Sequence, residues 1–169
     1  VNTTRNRHGT ATVTLQGDRE ILITRQFDAP IALVFKAVTT PELVKRWWGF
    51  ETSQWLVCEI DLRVGGKWRY VTREANGFEV GFHGEYRQIA APHRLVSTEA
   101  YEGIPNADAA ASLNTITFVE QGGVTTMTTH VLHVKPEYRD AHLASGMEGG
   151  MQVSMNRIED LLIQLEQAA

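Results

Sequence analysis

Residues 136–167 read PEYRDAHLASGMEGGMQVSMNRIEDLLIQLEQ. Met147, Met151, Met155, Ile158, Leu162 and Leu165 recur there at three- and four-residue spacing, which makes one apolar stripe along a helix. The spacing predicts a long amphipathic helix beyond about residue 145, in a terminal segment 135–168. A helix with one apolar face must lie on another apolar layer. Upstream the chain mostly alternates like strands, so that layer is a sheet.

Working outward from the helix, strands are expected over 112–120 and 124–134, joined at Gly122-Gly123, and over 54–63, 66–74, 78–90 and 93–101. Gly65-Gly66 and Asn76-Gly77 supply hairpin turns, and Pro92 breaks the next joint. The stretch 102–111, EGIPNADAAA, reads as the one long loop. Nearer the N-terminus, strands 11–17 and 20–27 flank a Gly17-Asp18 turn. Asp28-Ala29-Pro30 then starts a helix with Ile31, Val34, Phe35 and Val38 on its apolar face. Thr40-Pro41 opens a second short helix running to Trp48 and closed by Gly49. Short loops favour antiparallel neighbours. The expected class is α+β: a helix-grip fold, with a curved antiparallel β-sheet wrapped around the C-terminal helix and two short helices after the first strands.

The 169 residues fit one domain, 11–169, behind a polar arm, 1–10, that is expected to fray. A net charge of −4 argues against a nucleic-acid partner, which needs a basic stripe. No apolar run reaches the ~18 residues of a membrane span, and VNTTRNRHGT lacks the apolar core of a secretory signal. Cys58 is the only cysteine, so no internal disulfide forms, and a cytoplasmic location is expected.

Four segments together resemble a known family: RQFDAPIALVFKAVTTPELVKRWWG, LRVGGKWRY, GFHGEYRQIAAPHRLVST and GMEGGMQVSMNRIEDLL. They cover most of 20–166 in the right order. The chain is similar to the SRPBCC (START-like, helix-grip) superfamily and, within it, to proteins grouped with the activator of heat-shock-protein-90 ATPase. The family usually carries Trp after the second glycine of the terminal motif, where this chain has Met151. The resemblance implies a fold with a cavity rather than one reaction. Relatives bind lipids, sterols, polyketides or hormones, and some are cyclases.

Period-two placement puts Trp68, Tyr70 and Thr72 on one strand face, opposite Lys67, Arg69 and Arg73. The aromatic face is expected to look toward the helix. Phe82 and Tyr86 share a face with Phe78 and Val80, while His83 and Glu85 fall opposite unless a bulge at Gly81 or Gly84 flips them inward as an acid–base pair. Of the Trp47-Trp48 pair, Trp47 is read as a wall of the cavity mouth. Met147 and Met151 offer soft wall surface beside Gly146, Gly149 and Gly150, glycines that allow close approach or a kink. Phe118 is expected to line the same space, with His130, beside Thr128, or Tyr86 offering a polar contact.

No cofactor or metal is expected. His130 and His133 are three apart, on opposite strand faces, and no HExxH or CxxC accompanies them. No GxSxG nucleophile is present. The expected partner is a small hydrophobic molecule, and a homodimer is compatible with the sequence. Binding without catalysis is preferred, because no convergent catalytic set is evident. The competing readings are a cyclase or dehydratase using cavity His, Glu or Tyr, and a protein-interaction module of the chaperone-regulator kind.

Overall fold

The computed structural model describes residues 6–169. Eight strands form one antiparallel sheet: β1 (Thr12–Gln16), β2 (Glu20–Phe27), β3 (Gln54–Ile60), β4 (Lys67–Arg73), β5 (Glu79–Ala90), β6 (Arg94–Tyr101), β7 (Ser112–Gln121) and β8 (Val124–Leu132). Their order is β1-β2-β8-β7-β6-β5-β4-β3, so β3 to β8 are antiparallel neighbours in chain order, β6 and β7 being joined by the longer stretch 102–111. The helices α1 (Ile31–Thr39) and α2 (Pro41–Val44) cross from β2 to β3, at the far edge of the sheet. Register shifts between Trp55 and Val57, and between Tyr86 and Gln88, bend it locally. This is the expected α+β helix-grip arrangement.

The terminal segment forms two helices rather than one, α3 (Pro136–Ala144) and α4 (Met147–Gln167). Gly146 breaks the run, with φ of 80°, a left-handed conformation that glycine adopts without steric cost. Pro136 occupies the first turn of α3, where its missing N–H costs nothing. The periodicity left α3 unread, because it buries no residue and carries no stripe of its own.

Helix α4 buries Met155, Ile158, Leu161 and Leu162. Met147, Met151 and Leu165 pack against the same core while staying half-exposed. The expected stripe is therefore buried in its middle and open at both ends. Beneath it lie Ile21, Ile23, Phe27, Leu95, Phe118, Met127 and Val131 from the sheet, with Val34, Phe35 and Ala37 from α1. A Cβ at Gly149 or Gly150 would meet nothing within 4 Å, so these glycines make no close approach, and neither ends the helix.

Helix α2 stops at Val44, four residues before the expected end. Residues 45–48 continue as turns because both tryptophans are drawn elsewhere. Trp47 donates its indole N–H to the Ala37 carbonyl at 2.9 Å, and Trp48 inserts into an aromatic cluster described below. Residues 7–10, read from sequence as part of a fraying arm, lie along α4 here together with Ala11. Gly9 N donates to Asn156 Oδ1 at 2.9 Å, and Gln152 Nε2 donates to the Ala11 carbonyl at 2.6 Å. Residues 1–5 of that arm lie outside the described residues.

Candidate functional site

The inner face of the sheet follows from strand register. Cys58, Tyr70, Phe82 and Tyr101 form one cross-strand row. Ile60, Trp68 and Gly84 form the next, and Tyr86, Ser97, Asn114 and Val131 a third. Glu99 faces Ser112 on the same side. Glycine is required at position 84, since a Cβ there would strike the Thr98 carbonyl and the Trp68 indole nitrogen. That close approach lets Trp68 lie against the strand.

The aromatics of this face contact one another. Trp68 and Tyr70 have ring centroids 4.7 Å apart. Trp48 meets Trp55, Tyr70 and Phe82 at 5.4, 5.5 and 5.6 Å, and Phe82 meets Tyr101 at 5.2 Å. Such edge and tilted pairs add about 0.5–1.5 kcal/mol each beyond area burial. Trp48, not Trp47, therefore belongs to this cluster. Phe118 lies apart, under α1, with its ring 5.6 Å from Phe35.

A polar set adjoins the aromatics. Burial raises the pKa of Glu99, and the Asn114 amide beside it pulls the other way. Glu99 nonetheless keeps part of its surface open to water. Asn114 is held in turn by the Ser112 hydroxyl, which donates to its Oδ1 at 2.9 Å. Burial pushes the Tyr86 phenol up to about 12 and also raises Tyr70, with Tyr86, Cys58 and Glu99 adding to the effect on Tyr70. Burial also takes the Cys58 thiol to about 11, which leaves it a poor nucleophile. Among the described residues, Arg25 Nη1 is the one fully enclosed side-chain nitrogen or oxygen without a hydrogen-bond partner. The Tyr70 and Tyr86 hydroxyls also lack a partner among the described protein groups. They are therefore not sealed from water, although the two residues are only 8% and 5% exposed.

Of the residues singled out from sequence, Trp68, Tyr70 and Phe82 share one aromatic cluster, and Tyr86 adjoins it. Met147 and Met151 pack against the core from the start of α4. His130 pairs with Leu22 on the outer face, away from α4, where it contacts Glu20 Oε1 at 3.2 Å. Thr128 does share its face, as expected, but the buried side of β8 is that of Thr125, Met127 and Val131. His83 and Glu85 are also on the outer face: the register shift in β5 falls after Tyr86, too late to turn them inward. There His83 Nε2 lies 2.5 Å from Asp108 Oδ1, and Glu102 pairs with Arg69 at 2.9 Å. Two open recesses, of about 260 and 600 Å³, lie along β3 and β4, lined by Glu59, Lys67 and Arg69 or by Pro41, Asp61 and Arg63. Neither lies between α4 and the sheet. Among the described residues no three His, Cys, Asp or Glu side chains converge as metal ligands.

Glu99 and Asn114 escaped the sequence reading. The signal was present: Leu95, Ser97, Glu99 and Tyr101 fall on one face at period two, so a carboxyl was due inside.

A family profile described as "Activator of Hsp90 ATPase homolog 1-like protein" matches residues 28–163. The chain belongs to this family, within the SRPBCC superfamily. No curated protein matches it. Among solved structures it is similar to protein Ms6760 from Mycobacterium smegmatis, at 26% identity and a TM-score of 0.79, over 90% of this chain and 96% of that one. A protein from Staphylococcus epidermidis is also 26% identical, with a TM-score of 0.77 over 90% and 94% of the two chains. One from Rhodobacter sphaeroides shares the fold, with a TM-score of 0.83 at 24% identity over 91% and 99%. Among the described residues no helix is long and apolar enough to cross a membrane.

Proposed function

We propose that the protein binds a small, mainly apolar molecule with a hydrogen-bonding end, held between α4 and the inner face of β4 to β7. Trp68, Tyr70, Phe82, Tyr86, Met147 and Met151 supply the wall, and Glu99 with Asn114 the polar anchor. One observation carries the reading: a carboxyl and two phenols lie deep on an aromatic face, the phenols lack protein partners, and all three stay reachable by water. Buried polar groups normally have a hydrogen-bond partner, from the protein or from ordered water. A few convergent polar groups among aromatics are what ligand pockets present.

The test is native mass spectrometry of freshly purified protein, then extraction of whatever co-purifies, with melting curves against sterols, fatty acids, polyketides and aromatic hormones. A co-purifying organic mass, or a ligand-dependent rise in melting temperature lost in Tyr86→Phe or Glu99→Gln, supports the reading. A silent panel and an empty extract end it.

A second reading rests on the same groups. Burial raises the pKa of Glu99, so it keeps its proton to higher pH than an ordinary carboxyl, the direction a general acid requires. An acid-catalysed dehydration or cyclisation is then the reaction class. Turnover of the extracted ligand by wild type and not by Glu99→Gln separates it from simple binding.

A further inference from the structure

The interior holds two carboxyl groups in contrasting settings. Glu159 of α4 meets Arg25 Nη2 at 2.6 Å, accepts the Arg7 backbone N–H at 3.0 Å, and lies 3.6 Å from His8 Nε2. Its charge is compensated within the chain. Glu99 has no such set: among the described residues it makes no ion pair, and the Asn114 amide is the one side chain that favours its charged form. A largely buried carboxylate without a counter-ion is costly, and a proton or a cation beside it lowers that cost.

The surroundings favour a cation. On the inner face of β6, Glu99 lies between Ser97, which pairs with Tyr86, and Tyr101, which pairs with Phe82 in the row of Tyr70, so both phenols belong to the neighbourhood of the carboxyl. Trp68 stands 4.7 Å from Tyr70, ring to ring. Aromatic faces attract a positive charge within about 6 Å of the ring centroid. An ammonium group offers three N–H donors and no acceptor. Here it finds carboxyl oxygens and two phenol oxygens without protein donors. A carboxylate ligand would meet repulsion from Glu99 instead.

Building on the ligand-binding reading, we propose that the site selects an organic cation: a protonated amine on an aromatic or apolar body, with its ammonium against Glu99 and its body along Trp68, Tyr70 and Tyr86. The amine donates to Glu99 while the rings surround the charge. Specificity then comes from charge sign, since wall surface of this kind accepts many apolar bodies.

The test uses the full chain and isosteric probes in titration calorimetry at neutral pH. Tryptamine is compared with tryptophol and indole-3-acetate, and phenethylamine with 2-phenylethanol. A charge-assisted hydrogen bond exceeds a neutral one by enough for a preference of about tenfold for each amine over its alcohol. Indole-3-acetate should bind weakest. Glu99→Gln should erase the amine preference, bringing each amine and its alcohol to within about twofold of one another. Equal affinity of amine and alcohol, or tighter binding of indole-3-acetate, overturns the cation proposal and leaves ligand binding standing. Failure of all the probes overturns it too, and the broader reading falls with it if the hydrophobic panel is also silent. Should Glu99→Gln not fold, the wild-type ordering on both scaffolds decides alone.

Discussion

Glu99 shares its face of β6 with Leu95, Ser97 and Tyr101, and that single side chain sets the chemistry of the inner wall. Burial lifts its pKa, so the folded protein holds this proton to higher pH than the unfolded chain does. Above the unfolded value near 4.5 the unfolded state releases the proton first and is favoured as pH rises. Glu99 therefore subtracts from stability progressively from that point upward, until its folded form also ionises. Glu99→Gln should melt higher than wild type at pH 8, and the gap should shrink toward pH 4. A gap independent of pH, in thermal melts across that range, would mean the carboxyl is well solvated. At this scale the sequence was partly legible. Period two placed Trp68, Tyr70, Phe82 and Tyr86 inside, because alternation is a direct consequence of strand geometry. It misplaced His130 because facing direction in β8 was judged from residue type, whereas register with β2 decides it.

At the scale of elements, the join between sheet and terminal helix is electrostatic as well as apolar. Arg25 of β2 is 1% exposed and reaches Glu159 of α4, while its Nε donates to Thr10 Oγ1 at 3.2 Å. The 7–11 strand of chain closes over this pair. Neither residue was legible, since a charge at an inward position reads as an interruption of the pattern until its partner from another element is known. Arg25→Ala or Glu159→Ala should each cost about 3–5 kcal/mol in urea melts, because each strands a buried charge. Arg25→Met combined with Glu159→Leu should cost less than either. A double variant as damaged as the sum of the singles would show that the pair does not act as a unit. The other join is between α3 and the end of β8. His133 Nε2 and His142 Nδ1 lie 3.0 Å apart, and beside them Leu143 of α3 packs, partly buried, against the core. Burial first, then His142 and Arg139, lower His133 to about 4. Between the unfolded value near 6.5 and about 4, the unfolded chain binds the proton and the folded one does not, so stability falls with pH through that window. Amide exchange in residues 136–144 should quicken there first. His133→Asn should flatten the dependence. An unchanged slope in that variant would assign it to other groups.

For the whole molecule, the order of the strands and the terminal helix was legible because the turn residues and hydrophobic periods agree at most of the strand joints. What lies between helix and sheet was not, since a cavity is a property of volumes from many elements rather than of any period. Met151 tests it. It sits half-buried at the open end of the α4 stripe, packed against the core, beside Gly149 and Gly150 with clear space around them. Met151→Trp adds a large ring at that point. If the helix and sheet enclose usable space, the ring enters it, stability changes by less than about 1 kcal/mol, and affinity for bulky probes drops while small ones are spared. If the interior is solid, the ring forces neighbours off their rotamers and costs about 1–3 kcal/mol with no selective effect on ligand size. The accessible Glu99 and the unpartnered phenols point to the first outcome, and paired urea melts and calorimetric titrations of wild type and variant measure both quantities on the same protein.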